Sequence, residues 1–404
     1  GEVPGHLSGR RSAPPLRRGP PPGPRIEPWR ADVLKGLPPP PPPPRSPWQL
    51  LYGAAHAARR RWWARRARRL PRPVVSVGNL HWGGAGKTPV TAAVAAHLRD
   101  RGRRVAVLSR GYGRSRTEGG PGVRVVSTGG GPLLGPSVAG DEPVLLAGEL
   151  PGVAVLVAAE RHAAGLHAMA HLDPPPDVFV LDDGFSHLAL GRDVDLLVFP
   201  AADPWAGGRL APGGRLREPL AAAGRAHGAL LTGALPTGHE EELAAALARG
   251  LERFGFRGAT FAAPSRFGRP RRTSGGRSAA DGLPPGTPVL LVVGVARPEG
   301  FVRAVRERGQ RVVGELRFPD HHPYPEGSLE RIRRAFHELG ARAVLTTGKD
   351  RVKLHGRLDL PLAELPLRAE PEPSFWAWLD GRLEERFAAA STGSAPGGRS
   401  GVAP

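Results

Sequence analysis

Short apolar runs alternate with helix-forming segments through the middle of this 404-residue chain. The runs between residues 73 and about 225 are rich in valine and leucine, and the segment 89–100 between two of them is rich in alanine. Continuous apolar runs are typical of strands buried on both faces, and their alternation with helices predicts a parallel, doubly wound sheet. The predicted strands are Val74–Val77, Val105–Ser109, Val153–Ala158, Val178–Leu181 and Val194–Phe199.

A second α/β pattern begins near residue 228. It alternates the predicted helices 240–253, 299–308 and 328–339 with the predicted strands Val289–Val293, Arg311–Leu316 and Ala343–Thr346. The predicted fold class is therefore α/β, with one doubly wound parallel sheet and a second, smaller α/β domain. The predicted division is a leader at 1–45, a basic helix at 46–72, domains at 73–227 and 228–387, and a tail at 388–404.

The two ends of the chain differ from this pattern. The leader is rich in Pro, Gly and Arg and has seven consecutive prolines at 38–44, while the tail is rich in Ser, Gly and Ala. Segments of this composition bury too little apolar surface to offset the entropy of ordering them. We therefore predict that the leader is disordered or polyproline-like, with a docking role as the alternative, and that the tail is disordered.

Residues 46–72 combine aromatic side chains with a dense run of arginine. Nine arginines and no acid lie between residues 45 and 72. The apolar residues at helical spacing there are Trp48, Leu51, Tyr52, Ala55, Ala58 and Trp62. A basic amphipathic helix of this kind suits an anionic membrane surface. A helix packed on the body with a solvated basic face, and a nucleic-acid-binding segment, remain the alternatives.

Charge and composition narrow the function classes. The chain carries a formal net charge of +20, but residues 1–72 hold sixteen Lys/Arg and three acids, a local charge of +13. The other 332 residues carry only +7, so the excess belongs to the N-terminal part and does not indicate a nucleic-acid-binding body. The chain has no cysteine, which excludes disulfides and thiolate chemistry, and it has no run of about 18 apolar residues that would span a bilayer.

The segment with the most specific chemistry runs from Pro73 to Val90. An apolar strand ends in a glycine-rich turn, which is followed by Lys87, Thr88 and the start of an alanine-rich helix. This order is typical of a P-loop, in which backbone amides and a helix N-terminus bind phosphate while the hydroxyl binds Mg²⁺. The usual spacing requires glycine where this chain has His81, so by itself the match does not establish the site.

An apolar strand that ends in two acids follows downstream. Asp182 and Asp183 close the run Val178–Leu181, at the edge where ligands bind in open α/β sheets. Carboxylates at this position hold Mg²⁺ near the phosphates in P-loop enzymes. An ordinary turn is the alternative, which the upstream P-loop disfavours.

Two further segments carry candidate acid–base groups. Asp141 and Glu142 open a predicted helix, where an acid serves either as a cap or as a general base in phosphoryl transfer. Residues 318–324, with the sequence FPDHHPY, place an acid beside two histidines, which suits either basicity tuning, metal binding or a plain exposed loop.

Taken together and in order, the motifs resemble those of the tetraacyldisaccharide 4′-kinase family, the lipid A 4′-kinases. The resemblance extends from about residue 47 to 380. The family's P-loop also has its early glycine at the position of Gly78 and not at the position of His81. The motifs are SVGNLHWGGAGKTP, SRGYGR, GDEP, LDDGFSH, RDVDLLVF, LAPGGRLREP, GVARPEGF, FPDHHPY and TGKDRVKL.

This resemblance implies an ATP- and Mg²⁺-dependent kinase with a P-loop NTPase-like sheet. Its acceptor would be the 4′-hydroxyl of a tetraacyldisaccharide 1-phosphate, a lipid A disaccharide precursor. It also implies peripheral binding at the anionic cytoplasmic face of the inner membrane and no nucleic-acid partner, and it leaves the oligomeric state open.

The resemblance also implies residue roles. Asp141 becomes the catalytic base, with His321 orienting it, and Ser109 becomes a further active-site position. The implied Mg²⁺ ligands are Thr88, Asp182, Asp183 and Glu218. The implied ATP-binding residues are His81, Trp82, Gly83, Gly84, Ala85, Gly86, Lys87 and Thr88.

Two departures from the family pattern weaken individual assignments. Ser186 stands where the family usually has glutamine, and Gly348 stands where it usually has glutamate. The 45-residue leader has no family counterpart. A P-loop NTPase of another kind, such as a nucleotide-dependent ligase or a metal-insertion GTPase, is the leading alternative, and a basic RNA- or membrane-binding protein with a vestigial loop is the non-enzymatic one.

Overall fold

The computed structural model describes residues 36–42, 47–112, 122–274 and 277–391. Fifteen strands and ten α-helices form within these ranges. The strands are β1 Val74–Gly78, β2 Val105–Ser109, β3 Arg124–Thr128, β4 Ala154–Val157, β5 Val178–Asp182, β6 Val194–Pro200, β7 Gly228–Gly233, β8 Ala259–Phe267, β9 Arg271–Ser274, β10 Arg277–Gly282, β11 Pro288–Val293, β12 Arg311–Arg317, β13 Ala343–Thr346, β14 Leu362–Glu364 and β15 Leu367–Ala369. The helices are α1 Pro47–Ala64, α2 Lys87–Asp100, α3 Pro136–Ala139, α4 Asp141–Glu149, α5 Arg161–His171, α6 Glu240–Glu252, α7 Glu299–Glu307, α8 Glu326–Glu338, α9 Gly348–Leu354 and α10 Pro373–Ser391, with short 3-10 turns at Ala206–Gly208 and Leu220–Arg225.

The larger sheet has nine strands in the order β15-β8-β7-β6-β1-β5-β2-β4-β3. Its seven central strands are parallel, and the edge strands β3 and β15 are antiparallel to their neighbours. Alternate side chains of one strand point to opposite faces. Val75 and Val77 therefore join the core beneath α2, α4 and α10, whereas Val74 joins the core on the α5 side. The prediction of a parallel, doubly wound sheet is confirmed.

The smaller sheet has six strands in the order β10-β9-β14-β13-β11-β12. Helix α8 covers one face and α7 covers the other. The chain enters this sheet after β8 and returns through β15, which pairs with β8. The larger sheet thus includes β7 and β8, and the chain passes to the smaller sheet only after Phe267. The sequence pattern alone placed the start of the second α/β unit near residue 228. The division into two domains stays a prediction.

The N-terminal part departs from the predicted pattern in two ways. The basic helix α1 ends at Ala64, because Arg68 pairs with Leu190 as a β-bridge and Leu70 enters the core. Residues 36–42 of the leader, expected to be disordered or polyproline-like, pack against the body. The leader residues 1–35 and the tail from 392 onward lie outside the described residues.

Helix α1 leaves several large apolar side chains in solvent. Trp48, Leu51 and Trp62 are 49%, 65% and 50% exposed, whereas Tyr52 packs against the body. Among the helices in the described ranges, none combines the length and the apolar character needed to cross a membrane.

Candidate active site

The phosphate loop connects β1 to α2 at the carboxyl edge of the larger sheet. Gly78 must be glycine, because a Cβ there would lie 2.4 Å from the Cβ of Phe185. Gly86 has φ +82°, a left-handed conformation that glycine adopts without strain. The two glycines thus let the strand turn sharply and aim the N-terminus of α2 at the loop.

Lys87 and Thr88 occupy the first turn of α2. The Nζ of Lys87 donates to Asn79 Oδ1 at 3.1 Å and lies 3.6 Å from Asp183 Oδ1. Burial lowers the pKa of Lys87, and the carboxylate of Asp183 opposes that shift. A lysine and a hydroxyl at a free helix N-terminus form an anion-binding arrangement.

The first two residues of the loop, His81 and Trp82, point in different directions. His81 is buried, and its Nε2 donates to the carbonyl oxygen of Pro204 at 2.8 Å. Burial lowers the pKa of His81 to about 4, so its imidazole is neutral and braces the loop from behind. Trp82 is 55% exposed, with the guanidinium of Arg217 5.6 Å from its ring centroid.

The next part of the loop is open. A Cβ built on Gly83 or Gly84 would meet no neighbouring atom, so the backbone there is accessible from outside. Ala85 anchors the end of this stretch, because its carbonyl oxygen accepts from Thr232 Oγ1 at 2.8 Å.

Asp182 lies beside the loop, because β5 pairs with β1 and places Asp182 opposite Val77. It is 1% exposed and accepts from Thr91 Oγ1 at 3.1 Å and from Ser109 Oγ at 3.3 Å. Burial, together with the carboxylates of Glu142 and Asp183, raises the pKa of Asp182 to about 7. In the described part of the chain, no lysine or arginine lies within salt-bridge distance of it.

Asp183, the next residue, has the opposite electrostatic environment. Both nitrogens of the Arg217 fork donate to it, at 2.9 and 2.7 Å. Burial opposes ionisation, but the hydrogen bonds from Arg217 and the charge of Lys87 outweigh it and lower the pKa of Asp183 to about 2. Asp183 is therefore a fixed anion that positions Lys87 and Arg217.

Glu218 follows Arg217 and is also buried. Its Oε1 accepts from Ser186 Oγ at 2.6 Å, and its Oε2 lies 3.0 Å from a guanidinium nitrogen of Arg225. Burial opposes ionisation, but the charge of Arg225 lowers the pKa of Glu218. Ser186, which replaces the usual glutamine, thus fixes a carboxylate next to the arginine that holds Asp183.

Asp141 and His321 form a pair that joins the two sheets. Asp141 opens α4, is 9% exposed, and accepts from Nδ1 of His321 at 3.2 Å. Lys353 on α9 places its Nζ 3.4 Å from the same oxygen. The hydrogen bond with Asp141 raises the pKa of His321. Burial would raise the pKa of Asp141, but its bond with His321 and the charge of Lys353 lower it.

Glu142 connects this pair to the phosphate loop. Its Oε1 lies 2.5 Å from Nζ of Lys349, one helical turn before Lys353 on α9. The charge of Lys349 outweighs burial and lowers the pKa of Glu142, and Lys87 contributes to the same shift. The two groups of charges therefore share one electrostatic environment.

The structure brings most of the predicted site residues to one edge, but as separate small clusters. Within the described ranges no three His, Asp or Glu side chains converge to form a ready metal site. Mg²⁺ commonly takes only one or two carboxylates and fills its other positions with water and substrate phosphate, so this arrangement is compatible with Mg²⁺. Asp182 fits such an ion best, because it is a buried carboxylate held only by hydroxyls.

Sequence reasoning assigned no role to three residues that the geometry makes central, namely Asn79, Arg217 and Lys353. Asn79 and Arg217 lie inside the motifs VGN and REP, so their motif positions were the available signal. Lys353 lies four residues after Lys349, which places both on one face of a helix.

Sequence comparison identifies relatives across most of the chain. A family model described as tetraacyldisaccharide-1-P 4′-kinase matches residues 45–384. A tetraacyldisaccharide 4′-kinase of Anaeromyxobacter sp. (strain Fw109-5) is 47% identical over 286 residues, which cover 70% of this chain and 73% of that protein. The enzyme of that name from Geobacter sulfurreducens is 39% identical over 332 residues, 75% of this chain and 81% of the relative.

Structural comparison agrees. The crystal structure of LpxK from Aquifex aeolicus in complex with ATP superposes with a TM-score of 0.63 at 28% sequence identity. The match covers 89% of this chain and 99% of the LpxK chain, so it includes both sheets.

Proposed function

This chain belongs to the tetraacyldisaccharide 4′-kinase family, and we infer that it uses ATP to phosphorylate the 4′-hydroxyl of a tetraacyldisaccharide 1-phosphate in lipid A biosynthesis. One observation carries the inference. The phosphate loop with Lys87 and the ion pair of Asp141 with His321 lie at one sheet edge and are linked electrostatically through Glu142. A kinase needs this combination of a phosphate site and a base for the acceptor hydroxyl.

ATP supplies the phosphoryl group, and the loop residues 81–88 bind its phosphates. Lys87 and Arg217 contribute positive charge, and the backbone amides at the start of α2 contribute partial positive charge. Asp183 keeps both cations in place, while Ser109 helps to fix Asp182. These groups stabilise the negative charge of the transferring phosphoryl because they are fixed before reaction.

Thr88 and Asp182 are the residues that would hold Mg²⁺ directly. Bound Mg²⁺ would neutralise charge on the phosphate oxygens. Asp183 and Glu218 already have arginine partners, and we assign them to organising the site around the ion.

Asp141 accepts the proton of the sugar hydroxyl. Its carboxylate is ionised at neutral pH, and His321 fixes the orientation of one oxygen. When His321 is neutral, Asp141 loses a cationic neighbour and becomes a stronger base. His321 therefore acts as a positioning and tuning residue.

We place the enzyme peripherally on the cytoplasmic face of the inner membrane. Helix α1 offers exposed tryptophan and leucine side chains next to arginine, the combination that binds the interface of an anionic bilayer. The acylated substrate resides in such a bilayer. The basic residues of α1 thus bind lipid headgroups and need no nucleic-acid partner.

The decisive experiment is transfer of label from ATP to the tetraacyldisaccharide 1-phosphate in mixed micelles with Mg²⁺. We expect labelled bisphosphate product from the wild type and none above background from Lys87→Ala. If the wild type gives no product while a relative in the same assay does, the proposal fails. A strong preference for GTP without lipid dependence would favour another P-loop NTPase.

A further inference from the structure

Residues 36–42 of the proline-rich leader pack against the body of the protein close to the phosphate loop. The carbonyl oxygen of Pro38 accepts a hydrogen bond from Nε1 of Trp205 at 2.6 Å. Leu37 packs against the apolar cluster that contains Trp205 and Phe199. The family model begins at residue 45, so this contact lies outside the part of the chain shared with the family.

The segment consists mostly of proline. Five of its seven residues are proline, and Gly36, Leu37, Pro40 and Pro41 are half-buried, whereas residues 38–39 and 42 are exposed. A run of prolines favours a polyproline II helix, because the pyrrolidine ring fixes φ near the value of that helix. Its backbone carbonyls are free to accept hydrogen bonds, and aromatic side chains are its usual partners.

The surface of the body that contacts residues 36–42 depends on two glycines. Gly250 lies in α6, and a Cβ there would lie 2.5 Å from Cη2 of Trp205. The indole ring can therefore pack against α6 only because residue 250 is glycine. A Cβ on Gly208 would lie 2.4 Å from Cγ of Pro41, so Gly208 leaves the space that Pro41 occupies. Trp205 itself is 3% exposed with the segment in place.

The same surface is continuous with the support of the phosphate loop. Pro204, the residue before Trp205, accepts the hydrogen bond of His81 at 2.8 Å. The backbone nitrogen of Trp82 donates to the carbonyl oxygen of Arg215 at 2.7 Å. The segment from Pro204 to Arg215 therefore braces the first two residues of the loop.

We propose that the surface around Trp205 and Gly208 is a polyproline-binding groove whose occupant is the chain's own segment 36–42. The docked segment fixes Trp205 and, through Pro204, holds His81 and the phosphate loop in the form that binds ATP. This inference rests on the proposed ATP site.

The test compares two full-length double variants. Pro40→Gly/Pro41→Gly changes the half-buried prolines, and Pro39→Gly/Pro42→Gly changes the exposed ones, so both alter the unfolded chain alike. Titration with ATP in the absence of lipid should give a Kd raised roughly fivefold for the first variant, the size expected for loss of one hydrogen-bonded contact. The second variant should stay within about twofold of the wild type.

A peptide of residues 34–44 provides the complementary readout. Added to Pro40→Gly/Pro41→Gly, it should restore the ATP Kd, and it should bind more weakly when Trp205→Phe removes the indole donor as well. Equal Kd values for the two double variants, or a peptide that binds regardless of Trp205, would overturn the proposal. If wild type forms a dimer that Pro40→Gly/Pro41→Gly dissociates, the segment comes from a second copy and the arrangement within one chain is wrong.

Thermal unfolding separates this inference from the proposed function. If the wild type does not bind ATP at all, the proposed function fails. The Tm of Pro40→Gly/Pro41→Gly should still fall below that of Pro39→Gly/Pro42→Gly if the segment docks in the groove, and equal Tm values would contradict docking.

Discussion

The two halves of the candidate active site are built in different ways. The phosphate half consists of Lys87, Asp182, Asp183 and Arg217, all of which come from the larger sheet and its loops. The proton half consists of Asp141, from the larger sheet's α4, and of His321 and Lys353, from segments attached to the smaller sheet.

This difference separates the two tasks of a kinase. The phosphate half is complete within one packed unit, so its charges are fixed whether or not the acceptor is present. The proton half requires both sheets, so the environment of Asp141 depends on how they are arranged. Substitutions in the first half should therefore affect binding of ATP and Mg²⁺, and those in the second should affect the chemical step and its pH dependence.

Among the variants that compare the two halves, Asp141→Ala should have the largest effect. Removing the base should lower kcat by about 10²–10⁴-fold, the range for general base catalysis, with little change in ATP affinity. Steady-state kinetics with ATP and lipid varied in turn, together with direct ATP titration, provide the measurement. A matching loss of ATP affinity would mean that Asp141 organises the phosphate half instead.

Adjacent carboxylates offer a matched pair for the phosphate half. Asp182→Asn should raise the Mg²⁺ concentration for half-maximal rate by roughly 10–100-fold, since a metal ligand is lost. Asp183→Asn should act mainly on the KM for ATP, because it releases Lys87 and Arg217. Rates measured over a Mg²⁺ series distinguish them, and a larger Mg²⁺ effect from Asp183→Asn would reverse the assignment.

The proton half predicts a pH profile. Because Asp141 raises the pKa of His321 above its ordinary value near 6.5, kcat should rise with pH through that raised pKa, where His321 loses its charge. His321→Gln should lower kcat by about tenfold and remove most of this rise of kcat with pH, the ascending limb of the profile. An unchanged limb in the variant would assign the titration to another group.

The smallest effect concerns the end of α4 away from Asp141. Burial and the nearby Glu364 raise the pKa of Glu149 to about 7. Ionisation of Glu149 therefore destabilises the folded state as the pH rises above the ordinary carboxyl pKa, and the full destabilisation is reached above pH 7. Glu149→Gln should raise Tm by roughly 2–4 °C at pH 8 and leave it unchanged at pH 4. Glu330→Gln, at an exposed position, is the control, and activity should not change in either variant.

The sequence predicted the elements that have a strong local pattern. The strands near Val105, Val178 and Ala343 appear with bounds within one residue of the prediction. The edge strands β3 and β15 were missed, because their sequences, RVVST and LRA, are too short to show a continuous apolar run. The return of the chain to the larger sheet depends on a pairing between β8 and β15 that spans about a hundred residues.

Apart from the pairing of Asp141 with His321, the candidate site was predicted as a set of residues and not as a set of contacts. The acids and the loop lysine carry local patterns, so motif reasoning could name them. The opposite pKa shifts of Asp182 and Asp183 could not be predicted, because they depend on where Arg217 and two hydroxyls lie in space. The bond between Asp141 and His321 is present in the structure, whereas the catalytic roles of the site residues remain predictions for the experiments above to test.

The last helix has a consequence for synthesis on the ribosome. Phe375, Leu379 and Leu383 of α10 are fully buried in the same core as Val75 and Val180 of the central strands. A nascent chain cannot complete the core of its first sheet until α10 has emerged, although most of that sheet is translated early. The strands around the phosphate loop therefore remain without part of their core while the whole smaller sheet is translated. During this period chaperones can bind their exposed apolar faces.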